Sequence, residues 1–200
     1  FLQGHTFMSH PSIRSVSGGN TKSTVGTVGS ASGLHVVRED LFDGFRRTVV
    51  RLKDVDIAVI DHTTNGCFGG VKLYDFPEGA IVVHSATSNL SFELSHTGGV
   101  SATAALKHAV GSALEASNDT LDSTQANMIP STSVTLSAGA GSKSGMSTSA
   151  AHLDGRSSAA SAYLNLGIVD GAVTDDEDDV VTVNGDIVLL WTPVGDAQAD

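Results

Sequence analysis

Along most of this chain, apolar residues recur at every second position, the period of a strand with one buried face. The longest run spans residues 47–60. Val49, Arg51, Lys53, Val55, Ile57 and Val59 share one parity, and Val50, Leu52, Asp54, Asp56, Ala58 and Ile60 the other. The apolar parity changes midway, which predicts a bulge near Lys53-Asp54 or two strands end to end. Residues 66–76 (GCFGGVKLYDF) predict a strand that stops at the turn Pro77-Glu78-Gly79. Residues 79–94 (GAIVVHSATSNLSFEL) predict one long strand or a kinked pair.

Gly98-Gly99 breaks the pattern. In residues 101–118, Ala and Leu favour helix while Gly111 and the Ser/Thr content weaken it. The alternation of Ala104, Leu106, His108, Val110 and Ser112 favours a strand. Residues 119–130 (DTLDSTQANMIP) predict one short helix, capped by Asp119 or Thr120 and stopped by Pro130. Val134 and Leu136 mark a further strand, and residues 139–157 (GAGSKSGMSTSAAHLDGRS) read as a flexible loop. Ala160, Ala162, Leu164, Leu166 and Ile168 share a parity in the next strand. At the end, Val181 and Val183 are expected to pair through an Asn184-Gly185 turn with Ile187–Trp191, because both residues of such a turn need positive φ. Short strands at this spacing predict an all-β fold, a β-sandwich of jelly-roll type with at most one short helix.

Residues 9–33 (SHPSIRSVSGGNTKSTVGTVGSASG) are too poor in apolar side chains to build a core of their own. Residues 1–33 therefore read as an extended N-terminal arm or a disordered tail, and residues 34–200 as the sandwich domain. Met8 is read as a natural start, with residues 1–7 upstream of it. No signal peptide is read in the first twelve residues, and no apolar run approaches the length of a membrane-spanning helix.

Charge changes this picture. The net charge is −11, but residues 1–53 carry +4 and the remainder −15. A basic segment on an acidic body points either to an acidic protein partner, with Arg14 and Lys22 as the arm's contact residues, or to a loop and edge strand that happen to be basic. Nucleic acid is not expected as a partner, since phosphate contacts need clustered bases on the body. Only 16% of residues are charged, against about a quarter in an average domain. Ser, Thr, Ala and Gly fill the gap, which suits a flat surface that meets other protein.

Candidate chemistry is sparse. The acid run Asp175, Asp176, Glu177, Asp178 and Asp179 reads first as a solvated loop between strands. Asp175, Asp176, Asp178 and Asp179 are the alternative Ca²⁺ ligands, although the spacing and sharp-turn glycine of a helix-loop-helix site are missing. GAGSKSG at 139–145 lacks the Gly-Lys step of a phosphate loop, because Ser142 precedes Lys143. His62, His84, His96, His108 and His152 fit no zinc spacing and read as scattered surface or interface residues. Cys67 is the single cysteine, so neither an internal disulfide nor a cysteine zinc site is available. No nucleophile elbow is present. The expectation is a non-enzyme without cofactor.

Three blocks in order carry a resemblance. They are FPEGAIVVHSATSNLSFEL, the small-residue segment leading to ALEASNDTLDSTQANMIPSTS, and AYLNLGIVD followed by the acidic run and VTVNGDIVLLWTPVGD. Together, over roughly residues 48–195, they resemble structural proteins of tailed-bacteriophage particles. The resemblance is one of block order and carries over no site residue. It implies a capsid decoration or cement protein at the virion surface, bound to the major capsid protein. The arm would lie across neighbouring subunits, and the expected assembly is a homotrimer. Other virion roles (tail, head-fibre or adaptor protein) and a carbohydrate-binding sandwich are the alternatives. The last would need exposed aromatics, and Trp191 reads as buried.

Overall fold

A computed structural model describes residues 26–42, 45–60, 66–95, 105–168 and 179–194. They form β1 (Thr27–Val28), β2 (Leu34–Phe42), β3 (Phe45–Val59), β4 (Cys67–Asp75), β5 (Gly79–Ser95), β6 (Ala105–Gly111), β7 (Ile129–Thr135), β8 (Ala140–Met146), β9 (Ala151–Gly155), β10 (Ser161–Ile168) and β11 (Asp179–Pro193). One sheet has the order β1-β4-β10-β6-β7. The other has the order β2-β3-β11-β5-β8, with β9 also beside β5.

The pairing is nested. β6 pairs with β7, β5 with β8 and β9, β4 with β10, and β3 with β11, all antiparallel. The chain is thus one long hairpin rolled over itself, with its tip at β6–β7 and most connections crossing between sheets. That is the jelly-roll topology, and the expected all-β sandwich is what the chain forms. β1 and β2 extend the two sheets beyond the roll.

The alternating side chains explain the core. Val50, Leu52, Leu90, Phe92, Leu164, Leu166, Ile187 and Leu189 are at most 2% exposed and face one another between the sheets. At one end Tyr74, Phe76 and Trp191 pack edge to face, with ring centroids 5.2 Å (Tyr74–Phe76) and 5.3 Å (Phe76–Trp191) apart. Buried indole and phenol groups need polar partners. Trp191 Nε1 donates to Thr48 Oγ1 at 2.9 Å, and the Tyr74 hydroxyl donates to Glu39 at 3.0 Å.

The predicted bulge lies at Lys53-Asp54. Val183 opposes Val55 and Gly185 opposes Leu52, so Lys53 and Asp54 both stand against Asn184. Asp54 adopts φ 50°, and its amide donates to Asn184 Oδ1 at 2.8 Å. The bulge moves the inward parity from Val50 and Leu52 to Val55, Ile57 and Val59.

Four expectations change. Asn184-Gly185 makes no hairpin, because β11 runs unbroken between β3 and β5 and is paired on both sides. Gly185 does take a positive φ, 134°, but spends it opposite the β3 bulge. The helix expected at 119–129 is a single 3₁₀ turn, Ser123–Gln125, preceded by Asp122 rather than by Asp119 or Thr120. Its peptide groups are taken by distant partners: Ser112 N–H donates to Thr124 O, and Met128 N–H to Val110 O. The loop expected at 139–157 contains β8 and β9, both laid on β5. Glycine permits this approach, since a Cβ at Gly141 would lie 2.7 Å from Thr135 O of β7. Finally, residues 26–33, placed in the arm by composition, lie on the sandwich. Gly29 N–H donates to Leu73 O, and Gly26 N–H to the Tyr74 hydroxyl, each at 2.9 Å.

Candidate interaction face

The two outer faces of the sandwich differ. The five-stranded sheet is covered by the chain itself, through residues 112–128. Asn165 on β10, 0% exposed, holds this cover in place. Its Oδ1 accepts the Glu115 N–H, and its Nδ2 donates to the carbonyls of Ala113 and Gln125, all at 2.9 Å. Glu115 is buried too, and its Oε1 accepts the backbone N–H groups of Ala116, Ser117 and Asn118. Lys107 pairs with Asp119 at 3.1 Å. Gly167 leaves room beneath, since a Cβ there would lie 2.4 Å from Asp119 O. This buried acid is thus a loop anchor, with every visible partner structural.

The six-stranded sheet has no such cover among the described residues. Its outward side chains form a grid, because strands about 4.8 Å apart bring residues in register side by side. One row crosses Asp56, Thr182 and Glu93; the next crosses Asn184, Ser91 and Ser142; the third crosses Arg51, Asp186, Asn89 and Ser144. Much of the grid satisfies itself. Thr182 donates to Asp56 at 2.6 Å, Ser144 donates to Asn89 at 3.2 Å, and Arg51 forks onto Asp186 at 2.9 and 3.2 Å. Shallow open depressions run between β5 and β8.

Further along the same strands apolar side chains stand among polar ones, with Val188 and Leu190 in register with Thr87, Arg47 and Ser85. Val49, Val188 and Leu190 alternate outward, Phe45 packs edge-on against His84 at 5.1 Å, and His84 Nε2 lies 2.8 Å from Thr192 Oγ1. Val37 on β2 and Val194 after β11 are 43% and 51% exposed. A face on which polar and apolar side chains are mixed is compatible with a protein–protein contact.

The residues singled out from sequence fall as follows. Arg14, Lys22, Asp175, Asp176 and Asp178 lie outside the described residues. Asp179 is not in a solvated loop: it opens β11, 1% exposed, opposite Val59. Among the described residues, no three His, Cys, Asp or Glu side chains converge as a metal site would. His84 and His152 are exposed, and His62 and His96 lie outside the described residues. His108 is 0% exposed and is no surface histidine. The signal for its burial was present, since it shares its parity with Leu106 and Val110. Cys67 is 1% exposed, as a small packed side chain should be. Trp191 and Tyr74 are buried and offer no platform for a sugar ring. No helix of the described residues is long and apolar enough to cross a membrane.

Compared with known proteins, the chain matches no protein-family model and no curated protein.

Proposed function

We propose that this chain is a non-enzymatic structural protein of a tailed-phage virion, one that binds the capsid shell and stabilises it. The observation that carries the reading is the contrast between the two outer faces. One is covered by the chain's own residues 112–128, while the other has no such cover among the described residues and its polar groups are largely paired among themselves. Such a face suits the surface of another protein better than a small substrate, which needs a concave site with convergent polar groups. The block resemblance supplies the kind of partner, and Arg14 and Lys22, with no acid among residues 1–25, supply a basic segment for an acidic shell. Repetition over a symmetric lattice adds avidity to contacts that are weak one by one.

Binding to purified capsids, followed by co-sedimentation, tests this reading. The full chain should pellet with capsids and raise the temperature at which they break open. A chain beginning at residue 26 keeps Gly26 and Gly29 on β4, so its sandwich stays whole while Arg14 and Lys22 are gone. It should bind capsids at least tenfold more weakly. No binding by the full chain would overturn the proposal, and equal binding by both would overturn the arm's part in it.

A further inference from the structure

The two sheets close against each other where β7 meets β8, and a buried histidine sits at that seam. His108 on β6 places Nε2 3.3 Å from Ser88 Oγ on β5. The same hydroxyl oxygen accepts the Gly145 N–H of β8 at 3.0 Å. That oxygen has a second lone pair, so it can either donate its proton to a bare Nε2 or accept a hydrogen from Nε2 while it holds the amide. Nδ1 is buried without a hydrogen-bond partner. β8 rides directly over the ring: a Cβ at Gly145 would lie 3.2 Å from Nε2 and 2.7 Å from Ile129 Cγ2.

Protonation makes donors of both ring nitrogens: Nε2 must then donate to Ser88 Oγ beside the Gly145 amide, and the Nδ1 hydrogen is buried without an acceptor. The new cation is also poorly compensated. β5 offers Ser88 and Phe92, whose ring lies 5.3 Å away, and β10 places Leu166 opposite. β7 offers Ile129 and Thr132; the Thr132 backbone favours the charged ring, although Nδ1 makes no hydrogen bond in the neutral arrangement. β8 brings Lys143, a second cation, which disfavours it. Burial, first, and Lys143, second, push the imidazole down to about 4. The released ring titrates at its ordinary 6.5. Below that pH the released state takes up the proton more readily than the closed one. The closed state therefore weakens as pH falls from about 6.5 to about 4. The cheapest relief is to let water reach the ring by freeing β8. Apart from a bridge between Ala140 and Ser137, that strand pairs only with β5, and it is built of Ala, Gly, Ser, Lys and Met, so it buries little apolar area.

We propose that His108 is an acid-sensitive latch whose protonation releases β8 from the sandwich. Release bares the β5 edge from Thr87 to Glu93 while the rest of the jelly roll stays folded. Hydrogen exchange on the full chain tests it, with protection corrected for the intrinsic effect of pH. Amides of residues 140–146 should lose protection roughly fifty-fold between pH 7 and pH 4.5, while those of β11 hold. In His108→Gln the loss should vanish. Unchanged β8 protection in the natural chain, or an equal loss in the variant, would overturn the latch. Should the variant fail to fold, an NMR titration of the natural chain decides. A ring titrating near 4 together with β8 release supports the latch, and one titrating near 6.5 with β8 still protected contradicts it.

Discussion

At the scale of single residues, the fold depends on a few buried polar groups, each with named partners. Asn165 is the clearest case. Its amide satisfies one N–H and two carbonyls of the covering segment, and all three bonds join residues 40 or more apart in sequence. Removing it leaves those groups without partners under cover, each worth about 1–3 kcal/mol. Asn165→Ala should therefore lower stability by roughly 3 kcal/mol, read from the urea midpoint. It should also speed exchange of the Glu115 and Gln125 region more than that of β11. Residue patterns made the hydrophobic partners legible, since Leu164 and Leu166 follow the period. They did not reveal Asn165, which sits between them on the other parity. Nothing local marks an outward polar residue as buried until the covering segment is in place.

At the scale of elements, periodicity located the strands well and turn chemistry misled. The parity change in β3 located its bulge, because inward burial forces the apolar residues to switch sides there. Asn184-Gly185 carries the same chemistry for a hairpin as for a glycine opposite a bulge: both call for positive φ. What decides is the length of the partners. β3 and β5 each run past this point on both sides, so β11 stays extended. β8 was illegible because Gly-Ser-Lys-Ser-Gly has no apolar period; its strand is imposed by pairing with β5 and by close approach to β7. The helix at 119–129 failed for a related reason, since long-range bonds claimed its backbone. Gly185 gives a sharp test. A Cβ there would lie 2.1 Å from Asn89 O at a φ of 134°, so both space and backbone oppose it. Gly185→Ala should cost roughly 3 kcal/mol, measured by thermal or urea unfolding. A true hairpin turn at the surface would tolerate it far better.

At the scale of the whole molecule, the nested pairing packs two sheets together, one covered by residues 112–128 and the other without such a cover among the described residues. That asymmetry was not legible in the sequence. Two outer faces of a sandwich share the same alternation, and only the path of residues 112–128 tells them apart. The candidate face was legible in part, through the shortage of charge and the abundance of Ser and Thr. Its grid depends on register across four strands, which no single segment encodes. The proposed capsid role would place many copies of this sandwich on one particle. Cryo-microscopy of intact virions carrying the chain decides it: jelly-roll density is expected at every capsomer, with the face of Arg51, Asn89 and Thr182 turned toward neighbouring protein. Density confined to a single vertex or to the tail, or absent from the particle, would contradict it.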